Sequence, residues 1–235
     1  MNHEKDWLAW LCCNHSKSQG KQIVIPKQWH KFAESYGLSV QWGANMMWEV
    51  PTDKLQSQLI QKYVKYPCDI HVVQSINSTH DHCFYAKELQ LYQVFIAEYQ
   101  TQGKGCKGDP WVACFGENLL VSAVFPFKKS KELAVEIAQA LAVCIQAWVP
   151  NNKVKVKWPN DVMIDDAKCL GVKVSEPMSD AVDGFIVSFG FNVNMLKGGP
   201  RDQRWTSLQK ETGVTWDRNY VAGQLLQSIL TLSNR

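Results

Sequence analysis

Between residues 153 and 174 three β-type segments follow one another with almost no chain between them. In residues 153–158 lysines alternate with Val154, Val156 and Trp158, a period of two that puts the charges on one face and the apolar groups on the other. Short apolar segments follow at 162–164 and 169–174, with Asp165-Asp166 as the tight turn between them. Turns this short join antiparallel neighbours. The chain is therefore expected to build an antiparallel or mixed sheet with helices on one face, an α+β fold.

Further strands are predicted at 71–76, 94–99, 119–125 and 185–193. A helix over 79–89 begins at a polar cap around Asn77-Ser78. In residues 131–148, Leu133, Ile137, Leu141, Cys144, Ile145 and Trp148 recur at helical spacing until Pro150 stops the helix, and a last amphipathic helix covers 220–232. Residues 1–66 have a different texture. A helix at 5–13 carries Trp7, Leu8, Leu11 and Cys12 on one face. A second starts at Pro26, with Trp29, Phe32, Ala33 and Tyr36 as its stripe and Gly37 as its stop. Two strands in 38–50 turn at Gly43-Ala44-Asn45 and end at Pro51. Helix plus hairpin predicts a truncated winged-helix-like unit lacking one helix over 1–66, with 67–235 as the main domain.

A chain of 235 residues holds one medium domain and a small appendage. Its net charge of +3 is too small to argue for nucleic acid or a membrane surface. No run approaches the ~18 apolar residues of a membrane span, and the charged start is no signal peptide. Eight cysteines occur without a CxxC spacing, which argues against zinc and for a reduced, cytoplasmic protein.

Three features can carry chemistry. Gly103, Gly105 and Gly108 let backbone N–H groups approach an anion, and Lys104 and Lys107 add charge. The loop is neither a Walker loop nor a Rossmann fingerprint, since a strand follows it, and by itself it equally fits a surface hairpin. Lys157 belongs to a lysine face that fits solvent exposure, yet it stands directly before the Pro159-Asn160-Asp161 turn, at a strand end where such proteins present functional groups. Ser78-Thr79-His80 offers hydroxyls and free N–H groups at a helix start, although capping accounts for Ser78 and Thr79 equally well. His80 has no evident partner for a catalytic dyad. Trp111 and Trp205 lie in loops, suited to stacking on a purine or to a minor hydrophobic cluster.

In order along the chain stand Ile76-Asn77-Ser78-Thr79, Ala97-Glu98-Tyr99-Gln100, the loop 103–108 with Trp111, and Phe115-Gly116-Glu117-Asn118-Leu119. Lys157-Trp158-Pro159-Asn160-Asp161, Lys168 with Gly171, and Gly190-Phe191-Asn192-Val193 continue the series. Over about residues 70–220 this resembles the catalytic domain of the biotin–protein ligases. The resemblance implies ATP-dependent attachment of biotin, through biotinyl-5′-AMP, to a lysine of the biotin carboxyl carrier domain of acetyl-CoA carboxylase. It implies Lys157 and Lys104 as catalytic residues. Ser78, Thr79, His80, Gln100, Gly103, Lys104, Gly105, Cys106, Lys157, Gly171 and Gly190 would surround biotin. Lys107, Trp111, Asn160, Lys157, Lys168, Asn192 and Trp205 would surround ATP and the adenylate, with Mg2+ carried on the phosphates. Lys104 and Cys106 stand where the family's loop usually carries arginines, which replaces a planar clamp by a point charge and a thiol. The family's C-terminal β-barrel is expected to be absent, specific DNA binding is not expected, no membrane is involved, and a homodimer is allowed. The competing readings are a lipoate or octanoate ligase or transferase on the same fold, and a non-enzymatic biotin binder.

Overall fold

In the computed structural model the described residues are 3–18, 21–35, 40–42, 45–49, 53–151, 153–178 and 182–234. Tyr36, Gly37, Gly43, Ala44 and Pro51 lie outside them. The N-terminal segment holds α1 (His3–Lys17), β1 (Gln22–Val24), a 3-10 turn (Lys27–Trp29), α2 (His30–Ser35), β2 (Val40–Trp42) and β3 (Asn45–Glu49). The remainder runs α3 (Ser57–Gln61), β4 (Asp69–Ile76), α4 (Thr79–Phe84), β5 (Gln93–Gln100), β6 (Asn118–Phe125), α5 (Leu133–Trp148), β7 (Val154–Lys157), β8 (Asp161–Ile164), β9 (Ala167–Ser175), β10 (Phe185–Asn192), α6 (Leu208–Thr212) and α7 (Arg218–Ser233).

Strands β4 to β10 form one sheet in the order β4-β5-β6-β10-β9-β8-β7. Only β4 and β5 pair parallel, across the α4 connection, and every other neighbour is antiparallel. The mixed, largely antiparallel sheet is thus the expected one. Its strands sort their side chains by parity. Val94, Ile96, Leu119, Val121, Phe125, Val187, Phe189 and Phe191 turn to one face and form the main core with the apolar stripes of α5 and α7. That stripe in α5 is Leu133, Ile137, Ala138, Leu141, Ala142 and Ile145, and each buried leucine or isoleucine contributes about 1.5–3 kcal/mol of transfer free energy. Leu120, Ser122, Ser188 and Gly190 have the opposite parity, in the register Ser122↔Ser188 and Leu120↔Gly190. The short helix α4 contacts this second face.

Several local expectations are corrected. The helix from residue 79 ends at Phe84 and not at 89. Cys83 and Leu89 both fill a small cluster with Val124 and Ile186, and in a continuous helix six residues apart they would point about 120° away from each other. The helix must therefore stop for both to be buried. Conversely α1 runs on through Asn14 and His15: the Asn14 side chain donates to Trp10 O at 2.8 Å, and His15 is buried against Trp48. Trp158, expected to share the valines' face, follows the end of β7 and is 79 % exposed. Elements β1, α3 and α6 were not foreseen.

The N-terminal strands pair antiparallel in the order β1-β3-β2. Trp7, Leu11, Trp29, Ala33 and Trp48 share a core with Cys114, Phe115 and Met195 from loops of the larger sheet. Leu55, Ile60 and Val64, which precede the expected boundary at residue 66, pack in the main core.

Candidate active site

The polar face of the sheet carries a cleft open to solvent, where polar side chains from α4, β5 and β10 converge with the glycine-rich loop. Its closed end is built from α4 and three strands. Ser78 caps α4, its oxygen accepting from Asp81 N at 3.1 Å. Thr79 donates from its backbone N and its hydroxyl to Gln100 Oε1, at 2.6 and 2.9 Å. Ser122 Oγ lies 2.8 Å from both Thr79 Oγ1 and Ser188 Oγ. His80 Nδ1 meets Ser188 Oγ at 2.9 Å, and its ring stacks on Phe84. Burial, aided by the Lys173 ammonium and opposed by Asp81, lowers the His80 pKa to about 4. Ser78, Thr79, His80, Ser122 and Ser188 are buried, and Gln100 is half-buried.

The glycine-rich loop folds back as a hairpin over this cleft. Gly105 N donates to Asp109 O, Gly108 N to Gly105 O, and Trp111 N to Gly103 O. Gly108 has φ +87°, a conformation glycine adopts without strain. Cys106 is exposed as a residue, but its thiol donates to Val172 O at 3.3 Å and accepts from Asn160 Nδ2 at 3.1 Å. Asn160 also donates to Val172 O at 2.7 Å, so this amide ties the loop to β9. Burial raises the Cys106 pKa, which keeps it a thiol.

Trp111 lies between this cleft and a second, smaller one lined by Pro110, Val112, Asn192, Pro200, Gln203 and Trp205; Lys168 also lines both. Gly171 and Gly190 make room for the indole, since a Cβ on Gly190 would stand 2.3 Å from Trp111 Cε2. Lys168 is 5.3 Å from the Trp111 ring centroid and forms an ion pair with Asp161 Oδ1 at 2.7 Å. Asn192 is buried and its amide is engaged, accepting from Asn118 Nδ2 and donating to Thr206 O.

Of the residues singled out in the sequence, Ser78, Thr79, His80, Gln100, Lys104, Gly105, Cys106, Trp111, Asn160, Lys168, Gly171 and Gly190 line the main cleft, and Asn192 and Trp205 the second. Gly103 is buried beneath Gln100. Lys107 is exposed and lines neither cleft. Lys157 is likewise exposed outside the lining, although its register partner Asp161 is in it. Asp161, quoted in the sequence motif but given no role there, lines the cleft; sequence reasoning missed Lys173 and Ser188, which also line it, and Ser122 behind it. A serine inside each of the otherwise apolar strands β6 and β10 was the available signal.

The model of the Biotin/lipoate A/B protein ligase family matches residues 71–192, more than half of the chain. The chain belongs to this family. Among its relatives is the bifunctional ligase/repressor BirA of Salmonella typhimurium, 29 % identical over 185 residues that cover 75 % of this chain and 55 % of that protein. The biotin–[acetyl-CoA-carboxylase] ligase of Mycobacterium tuberculosis is 28 % identical over 144 residues, 58 % of this chain and 52 % of the relative. The chain thus spans about half the length of these curated relatives. The fold matches that of the biotin protein ligase from Aquifex aeolicus in complex with biotin and ATP, with TM-score 0.60 and 22 % identity over 71 % of this chain and 72 % of that one. For a family member the glycines opposite Trp111 acquire a direct test. Gly190→Ala should push the indole into the cleft and weaken small-ligand binding at least about 10-fold, measured by calorimetry, with the melting temperature moving far less. Unchanged affinity would mean that Trp111 lies elsewhere when ligand is bound.

Proposed function

We propose that this chain is a biotin–protein ligase. A biotin carboxylate oxygen attacks the α-phosphorus of ATP and pyrophosphate leaves; a lysine amine of a carrier protein then attacks the acyl carbon, its C–O bond to AMP breaks, and the amine proton passes to solvent. The observation that carries this reading is the buried polar end of the cleft, where Ser78, Thr79, Gln100 and Ser188 converge. A bicyclic head with N–H and C=O groups answers those side chains. The dithiolane of lipoate or the methyl end of octanoate would desolvate them without replacement, at about 1–3 kcal/mol for each orphaned group.

In this reading the ring head of biotin lies against Ser78, Thr79 and Gln100, and Gly171, Gly190 and Trp111 flank its tail. Lys104 and Lys168 face the carboxylate and phosphate, the amides of 103–108 close over them, and Trp205 walls the adenine. Magnesium enters on the triphosphate; among the described residues no group of three His, Cys, Asp or Glu gathers to hold it. The acceptor is a biotin carboxyl carrier domain. No helix among the described residues is long and apolar enough to cross a membrane. Labelled pyrophosphate should exchange into ATP when biotin is added and not with lipoate or octanoate. Exchange driven only by lipoate or octanoate would move the assignment to that branch of the family, and exchange with none of the three would leave a binder without turnover.

A further inference from the structure

His80, Ser188, Ser122, Thr79 and Gln100 form an unbroken hydrogen-bond chain, and its protons can be counted. The Thr79 backbone N–H can only donate, so the Gln100 atom 2.6 Å from it is the carbonyl oxygen. That oxygen only accepts, and the Thr79 hydroxyl at 2.9 Å therefore donates to it. A hydroxyl has one proton and two lone pairs. With the Thr79 proton committed, Ser122 donates to Thr79 Oγ1 at 2.8 Å. With the Ser122 proton committed, Ser188 donates to Ser122, also at 2.8 Å. Ser188 then has no proton left for His80 Nδ1 at 2.9 Å, so the ring nitrogen is the donor.

We infer that His80 is held as its Nδ1–H tautomer and is a positioning residue, keeping the Ser188 proton on Ser122 so that Thr79 Oγ1 and Ser188 Oγ face the ligand as acceptors only. Nε2 keeps its lone pair, 3.5 Å from Ser175 Oγ. The imidazole is buried beside Lys173 and neutral at pH 7, so it carries one ring proton. The Ser78 oxygen is occupied by Asp81 N, which leaves its hydroxyl proton to donate. The three hydroxyls of Ser78, Thr79 and Ser188 therefore ask for two N–H donors and one acceptor, a pattern that a cyclic urea meets. This deepens the biotin reading and rests on it for the identity of the ligand.

The tautomer can be read on the full chain without substrate, from long-range 1H–15N correlations of the imidazoles, with the His80 signals assigned by their loss in His80→Asn. A protonated Nδ1 and a bare Nε2 at pH 7 are expected; a predominant Nε2–H form would overturn the proposal. His80→Asn and His80→Asp have nearly the same shape, but only asparagine can donate to Ser188. His80→Asn should keep the KM for biotin within about 3-fold, whereas His80→Asp, which competes for the Ser188 proton, should raise it about 10-fold or more with a much smaller change in kcat. Equal KM values for the two would overturn the role assigned to His80. Absence of biotin-dependent exchange in the unaltered protein would instead count against the ligase reading and leave the tautomer measurement standing.

Discussion

Lys157→Ala is expected to lower biotin-dependent ATP–pyrophosphate exchange by ~100-fold or more, while Lys155→Ala, two positions earlier on the same strand, stays within about 2-fold. The lysines of this region differ in what already neutralises them. Lys155 Nζ is bound to Asp166 at 2.7 Å, and neither residue lines the cleft, while Lys168 is bound to Asp161 at 2.7 Å. Among the described residues no carboxylate pairs with Lys157. Its backbone lies opposite Asp161, a residue of the cleft wall, at the end of β7. Adenylation builds negative charge on the α-phosphate, and an uncommitted ammonium on a flexible stem beside that wall is free to meet it. One preplaced donor to developing charge is typically worth ~3–4 kcal/mol, which sets the size of the loss. Biotin affinity should change much less. A near-normal rate in Lys157→Ala, with the loss appearing in Lys168→Ala, would transfer the role to the lysine that lines both clefts.

Arg218→Met is expected to destabilise the fold by about 3–5 kcal/mol, the cost of leaving a buried charge without its partner. For a chain of this size that is a fall of roughly 6–20 °C in melting temperature. Arg218 is fully buried and opens α7. Its Nη1 donates to Glu98 Oε2 at 2.6 Å and its Nε to Asp53 Oδ2 at 2.9 Å, while Glu98 Oε1 accepts from Leu55 N at 2.9 Å. Burial works against the guanidinium charge, but Glu98 and Asp53 outweigh it and raise the Arg218 pKa. The network joins α7, the segment before α3, and β5. Without the arginine, buried Glu98 loses its counter-charge and is left as an unpaired carboxylate in the core. An unpaired buried carboxylate costs stability only while it is ionised. The deficit of the variant should therefore be largest near neutral pH and shrink as the pH is lowered, as urea denaturation at several pH values would show. A deficit independent of pH would mean that lost packing, and not the orphaned carboxylate, dominates.

Much of the site was legible because it lies in contiguous stretches. The glycine spacing of 103–108, the Ser78-Thr79 helix start and the run Lys157-Trp158-Pro159-Asn160-Asp161 each occupy a few neighbouring residues. Gly171 and Gly190 entered only through family resemblance, and their physical reason, space for Trp111, appears once β9 and β10 are paired. Ser122, Lys173 and Ser188 went unnoticed because each is ordinary within its own strand. They meet through the register Ser122↔Ser188↔Lys173 across β6, β10 and β9, and residues 66 positions apart in the chain leave no local trace of such a meeting.

By itself the sequence determined the long strands and helices and the parity within the strands, but not β1, α3, α6, the end of α4 or the exposure of Trp158. Period-two alternation and helical spacing depend on neighbouring residues, and short turns leave antiparallel pairing as the outcome. The tertiary structure decided which polar groups share the cleft and which charges are already neutralised. Parity says that Lys153, Lys155 and Lys157 share a face of their strand, but which carboxylate stands opposite each depends on the packing order β9-β8-β7. That order gives Asp166 to Lys155 and Asp161 to Lys168, and leaves Lys157 uncommitted beside the cleft wall.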